Sequence, residues 1–236
     1  KCGETVTYHS MKAANEDVTL YQVRKVFQEN NLYKYKKPQD EKPKTRCTYQ
    51  AKYVNQIWHA DIHYLEKNKL YLYSIIDDRS RFIVGYEVIV EKSAYQCKRI
   101  LENAIQTYGK PAIMWTDNGG ENTADKMMGF LKTNRIYPVF ITPGNPQQNG
   151  KIEAFWPKLD DFISDESEIA NYIYVYNNLK AHTCLEKGTN GCFKRPVDVF
   201  FDESLQWKRE YPWKWYVNGK EVDFKINEER KKEYYD

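Results

Sequence analysis

Residues 56–90 read QIWHADIHYLEKNKLYLYSIIDDRSRFIVGYEVIV, and the fold is decided there. Gln56–Ile62, Leu70–Asp77 and Phe82–Val90 are β-branched and aromatic runs with short polar links between them. Asp78-Arg79-Ser80-Arg81 supplies the turn before the third run. Three such runs in succession predict an antiparallel meander. Downstream, Ser93–Tyr108 has a helical pattern, with Ser93 as cap, Ile100, Leu101, Ala104, Ile105 and Tyr108 on one face, and Gly109-Lys110-Pro111 as its stop. Ala112–Thr116 is a short apolar strand ending at Asp117. Thr123–Asn134 is a second helix, Ile136–Thr142 a fifth strand, and a further helix begins near Lys151 after the polar loop Pro143–Gly150. The order is βββαβαβα: an α/β chain with a mixed five-stranded sheet and helices on its faces.

Outside this core the text changes. Val18–Phe27 places Leu20, Val23 and Phe27 on one helical face, with Thr19 as a cap. It reads either as the remnant of a helix-turn-helix module or as a plain amphipathic helix. Residues 38–54 are charged and proline-containing, as in a linker. Tyr172–Leu179 is aromatic and helical. Near the end, Asn218-Gly219 stands between Trp213–Val217 and Lys220–Phe224. Asn-Gly between alternating runs is a type I′ hairpin signal, here either the start of a small β-barrel or a hairpin packed on the core. The expected organisation is a helical segment over 1–37, a basic linker over 38–54, a core over 55–165, a helical and irregular extension over 166–208, and a hairpin over 209–236. Because the first residue is Lys1, the chain is expected to be a fragment or a processed product.

Composition excludes several classes. No apolar run of about 18 residues predicts a membrane span, and no charged start leads into an apolar stretch as in a signal peptide. The five cysteines are odd in number and lack a C-x-x-C pair, which argues against a disulfide framework and for a reducing, intracellular setting. They make no zinc spacing with the four histidines. The net charge of +3 is small, but residues 1–56 hold 11 Lys/Arg against 6 Asp/Glu. A basic arm of this kind can follow a phosphate backbone or can simply be solvated.

Three acidic residues fall where this fold can gather them: Asp61 in the first strand, Asp117 at the end of the fourth, and Glu153 near the start of the helix after the polar loop. Three carboxylates suit phosphodiester chemistry. Two hard divalent ions about 3.5–4 Å apart can activate an attacking oxygen and stabilise a leaving one, and Mg2+ prefers oxygen ligands. Without metal, the three charges repel, and at least one carboxyl is expected to have a raised pKa. Asp77 and Asp78 also end a strand but read as turn-formers.

The text around these residues resembles the integrase catalytic core family, which includes retroviral and retrotransposon integrases and insertion-sequence transposases. Trp58 stands three residues before Asp61. Trp115-Thr116-Asp117-Asn118-Gly119-Gly120-Glu121-Asn122 carries an Asp-Asn-Gly signature. Pro146-Gln147-Gln148-Asn149-Gly150-Lys151-Ile152-Glu153 carries Gln-Asn-Gly-x-x-Glu, and 35 residues separate Asp117 from Glu153. Ile76-Asp77-Asp78-Arg79-Ser80-Arg81 is similar to the Asp-x-x-Ser-Arg hairpin between the family's second and third strands. The likeness runs over about half the chain, from Asn55 to Phe162.

The resemblance implies an RNase-H-like fold with two Mg2+ or Mn2+ ions, Asp61 bridging them and Asp117 and Glu153 each holding one. It also implies an enzyme, a polynucleotidyl transferase and endonuclease, that nicks the 3′ end of an element and joins it to target DNA. Asn118, Gln147, Gln148, Asn149, Lys151 and Lys158 are the expected nucleic-acid contacts, with Lys151 read equally well as an exposed helix-start lysine. DNA and further copies of the chain are the expected partners, with no membrane. The expected place is the nucleus in a eukaryote or the cytoplasm in a bacterium. The competing function is a domesticated DNA- or protein-binding factor without catalysis. Two departures bear on it: Pro157 requires a kink or a helix restart after Glu153, and Asp160 stands where the family has a basic residue.

Overall fold

A computed structural model of the protein describes residues 3–33, 50–141 and 149–207, together with the backbone of 215–217 and 220–222. Two helices come first, α1 (Glu4–Ala13) and α2 (Leu20–Glu29). In α2, Thr19 and Gln22 close a capping box, and Val23 and Phe27 are buried. The preceding helix falls within the helical segment expected over 1–37, although no pattern is read in Glu4–Ala13 itself. It packs at a distance, with the Ser10 hydroxyl accepting from the Ala181 N–H at 2.8 Å and the His9 ring edge-on to Phe193 at 4.8 Å. Residues 34–49 of the expected linker lie outside the described residues. Its last part is inside the core: Ala51 and Val54 are buried.

The strands β1 (Ile57–Leu65), β2 (Leu70–Asp77) and β3 (Ile83–Ile89) form the meander. The helix α3 (Ala94–Tyr108) follows, its first turn capped by the Ser93 hydroxyl. Next come β4 (Ile113–Thr116), α4 (Gly120–Thr123), α5 (Asp125–Thr133) and β5 (Tyr137–Phe140). The helix expected over Thr123–Asn134 is α5, starting two residues later; the short α4 before it was not expected, and Ala124 in an extended conformation separates the two. The chain continues through α6 (Gly150–Glu153), α7 (Trp156–Asp160), α8 (Ile169–Asn178) and α9 (Pro196–Phe200). The backbone of β6 (Trp215–Val217) pairs antiparallel with β7 (Lys220–Val222). The Asn218-Gly219 turn lies outside the described residues.

The sheet order is β3-β2-β1-β4-β5. The meander pairs are antiparallel, while β4 lies parallel to both β1 and β5. This is the mixed five-stranded sheet with helices on its faces that the pattern predicts. On one face Trp58, Ala60, Tyr73, Ile75 and Val84 pack against Ile100, Leu101, Ala104, Met127 and Leu131 of α3 and α5. On the other, Leu72, Ile76 and Ile83 pack against Ile152, Phe155, Trp156, Leu159 and Ile173 of the α6–α8 segment. Side chains alternate between faces along a strand, so neighbouring residues of β1 serve different layers. Among the described residues no helix is long and apolar enough to cross a membrane.

Candidate active site

The parallel pairing of β1 with β4 sets His59 opposite Trp115, and the two rings stack at 5.6 Å. Two residues beyond His59 on β1 comes Asp61, and Asp117 is the first residue after β4, near enough for its charge to act on Asp61. The turn after β4 shapes Asp117. Its Oδ1 accepts from the Gly119 N–H at 3.1 Å and from the Asn122 side-chain amide at 2.8 Å. Asn122 is buried. Asn118, exposed in the same turn, donates to the Ile141 carbonyl at 2.8 Å.

Asp61 is held from two sides. Its Oδ1 accepts from the Ile62 N–H at 2.9 Å, and its Oδ2 accepts from the indole N–H of Trp156 at 2.8 Å. Burial pushes the Asp61 carboxyl above its ordinary range. The two hydrogen bonds pull it down and the Asp117 charge pushes it up again. Glu153 is also raised, first by burial and then by Asp61. Asp61 is therefore the shared electrostatic neighbour of the other two.

Glu153 ends the short helix α6. The sequence left a kink or a restart at Pro157, and the chain restarts. Ala154 and Phe155 form a turn, and α7 begins at Trp156 with Pro157 in its first turn, where a proline costs no hydrogen bond. Ile152 and Phe155, both fully buried, pin this turn to the sheet.

A second polar cluster fixes α6 from below. Asp78 is fully buried. It accepts from the His59 ring at 2.8 Å and from the Ala51 N–H at 2.6 Å, and it pairs with the Lys151 ammonium. His59 Nδ1 lies 3.1 Å from Asn149 Oδ1, and the Asn149 amide donates to the Ala60 carbonyl at 3.3 Å. Burial alone would raise the Asp78 carboxyl. Lys151, the His59 hydrogen bond and Arg81 outweigh it and hold Asp78 well below the carboxylate range. Burial brings Lys151 down to about 8, against the pull of Asp78.

Three sequence expectations change here. Asn149, expected to touch DNA, is 2 % exposed and ties α6 to β1. Lys151, expected as a phosphate contact or an exposed lysine, turns its side chain inward to Asp78. Asp78 is more than a turn-former, since it is the centre of this cluster. Asp77 does form the turn, accepting from the Ser80 N–H and hydroxyl at 2.8 and 2.7 Å and from the Asn55 N–H at 2.8 Å. Asn118 and Lys158 are exposed. Gln147 and Gln148 lie outside the described residues.

Reading the sequence missed Trp156, Asn122 and His59. Each carried a signal. Trp156 follows Glu153 by three residues, and Asn122 follows Asp117 by five. His59 shares the strand face of Asp61. None of these relations names a partner across the sheet.

The donor set suits a hard divalent ion by type, since all three groups are carboxylates, and Asp61 is close enough to both others to alter Glu153 and to be altered by Asp117. Among the described residues no three acidic, histidine or cysteine side chains converge closely enough to hold one ion as they are oriented.

Comparison with known proteins now places the fold. The family description "Integrase core domain" matches residues 51–146. The chain is 27% identical over 142 residues to an uncharacterized 39.2 kDa protein of insertion element IS476 from Xanthomonas euvesicatoria, covering 55% of this chain and 41% of that protein. It is 26% identical over 179 residues to the Pol-related polyprotein of the mouse intracisternal A-particle MIA14, covering 68% of this chain and 20% of the polyprotein. The match thus spans less than half the length of either relative.

Among solved structures, the simian T-cell lymphotropic virus intasome in complex with PP2A regulatory subunit B56 gamma aligns at a TM-score of 0.58 and 18% identity, over 83% of this chain and 70% of that one. The integrase catalytic core domain of BIV aligns at 0.50 and 21% identity, over 64% and 96%. The HTLV-2 core domain, solved with magnesium, aligns at 0.50 and 16% identity, over 63% and 97%. The fold is that of the retroviral integrase cores, RNase-H-like, and residues 51–146 are similar to the integrase core domain.

Proposed function

We propose that the chain is a DNA integrase or transposase that nicks the 3′ end of an element and joins that end to target DNA, with Asp61, Asp117 and Glu153 holding two Mg2+ or Mn2+ ions. The observation that supports this reading is the parallel β1–β4 pairing, which sets the strand holding Asp61 beside the strand that Asp117 follows, while the Asp61 charge reaches Glu153. Two bound ions would supply an activated oxygen nucleophile and relief of charge on the leaving oxygen.

The chain's own residues do the rest. Asn122 and the Gly119 N–H orient Asp117. Trp156 and the Ile62 N–H hold the buried Asp61 carboxyl and oppose the upward push of burial on its pKa. Asp78, through Lys151, His59 and Asn149, fixes the turn that presents Glu153. Asn118 and Lys158, both exposed, are offered as contacts to DNA, together with Gln147 and Gln148 from the loop before α6. The magnesium in the HTLV-2 core and the intasome of the simian virus support the metal, the DNA partner and assembly of several copies. The reading places the work where DNA is, in the nucleus of a eukaryote or the cytoplasm of a bacterium.

The test is joining of a labelled 3′ end to plasmid DNA by the purified chain. Joining is expected with Mg2+ or Mn2+, lost with a chelator, and reduced more than about 100-fold in Asp117→Asn, beyond the loss typical of residues that only support a ligand. Joining that survives Asp117→Asn or chelation would contradict the assignment. DNA binding with no joining by the unaltered chain would favour the non-catalytic factor.

A further inference from the structure

Trp156 occupies an unusual place for a large aromatic residue. It is 7 % exposed, yet its one polar atom is spent on a carboxylate rather than on backbone. The indole N–H is a donor only, so the 2.8 Å contact to Asp61 Oδ2 has one sense: Trp156 donates and Asp61 accepts. The ring plane is fixed by its neighbours. His63 stacks on it with centroids 4.9 Å apart and planes 10° from parallel, and Phe155 meets it edge-on at 5.1 Å. His63 is itself held, with Nε2 2.9 Å from Asp160 Oδ1. A chain of contacts thus runs from α7 through Asp160 and His63 to the indole, and from the indole to Asp61 on β1. The acidic residue at 160, a departure from the family pattern, has a use in this arrangement.

We propose that Trp156 is the positioning residue of Asp61: its indole N–H, clamped by His63, fixes the carboxylate in one orientation and leaves its remaining lone pairs for divalent cations. This rests on the reading of Asp61 as a metal ligand. A carboxylate that bridges two ions must present both oxygens at a fixed angle, and a free Asp side chain rotates about two bonds. A donor on one oxygen removes that freedom before the ion arrives. The carboxylate still has unused acceptor sites. Partners of this kind commonly change metal affinity by about 10–100-fold when removed.

The test is Mn2+ binding to the whole chain, read by calorimetry and by quenching of indole emission, without DNA and without turnover. Trp156→Phe keeps the ring and its stacking and removes only the donor. It is expected to weaken Mn2+ binding by about 10–100-fold. Leu101→Ala, in the core on the opposite face of the sheet, serves as a destabilised control and is expected to bind Mn2+ as the unaltered chain does. Asp61→Asn is expected to abolish the tighter site. If the unaltered chain binds no Mn2+, or Asp61→Asn binds it normally, the metal reading itself fails. If Asp61→Asn loses binding but Trp156→Phe binds within twofold of the unaltered chain, the metal reading stands and the role of Trp156 is overturned. An equal loss in Leu101→Ala also overturns it, because the effect then reflects general loosening.

Discussion

At the scale of single residues, Asp78 shows how a charge can be buried without being a ligand. It has no exposed surface, and its oxygens are taken by His59, Ala51 and Lys151. Removing one partner of a buried pair leaves the other uncompensated, at a cost of about 3–5 kcal/mol, whereas removing both is often neutral. Asp78→Asn is therefore expected to lower the unfolding free energy by about that amount in urea titration, and Asp78→Asn with Lys151→Met to recover most of it. Equal losses in the single and double variants would show that the pair does not work as a unit.

His182 gives a second test at this scale. Burial lowers its pKa from 6.5 to about 3. Between those values the unfolded chain takes up a proton that the folded chain refuses. The stability His182 contributes is present above pH 6.5 and declines as pH falls, by up to about 1.4 kcal/mol per pH unit. His182→Phe is expected to flatten this part of the stability profile between pH 6.5 and 5, whatever it does to stability at pH 8.

The same scale shows where a sequence is legible. Asp61, Asp117 and Glu153 stand out because their neighbours and their spacing are distinctive. Asn149 and Lys151 mislead because polar residues beside a Gly-rich loop read as surface. Their burial depends on Asp78, 73 positions before Lys151, and no local pattern encodes that pairing.

At the scale of elements, Pro157 separates two short helices. A proline in a helix interior would cost about 3 kcal/mol, but in the first turn of α7 it gives up no bond that the helix needs. Pro157→Ala is thus expected to change stability by less than about 1 kcal/mol, measured by chemical unfolding. A gain near 3 kcal/mol would mean that α6 and α7 are one strained helix. The strands of the meander and α3 were legible from their periodicity, and the Ser93 cap of α3 from residue type. The break at Ala124 was not, since nothing in Asn-Thr-Ala-Asp marks an extended residue between two helical turns.

At the scale of the whole molecule, the site is a consequence of topology. Two strands distant in sequence run parallel, with Asp61 on one and Asp117 in the turn after the other, and the short helix α6 that ends in Glu153 packs on β1. The strand and helix order was readable because each run had its own pattern. The docking of α1 on residues 181–193 was not, because the Ser10–Ala181 hydrogen bond and the His9–Phe193 ring contact have no signature in either segment.

The central claim is that Asp61, Asp117 and Glu153 form one metal site. Crystals of the chain grown or soaked with Mn2+ and measured for anomalous scattering test it most directly. The account predicts two peaks about 3.5–4 Å apart, both touching Asp61, with Asp117 on one and Glu153 on the other. Peaks elsewhere on the protein, with Glu153 turned away from Asp61, would contradict it.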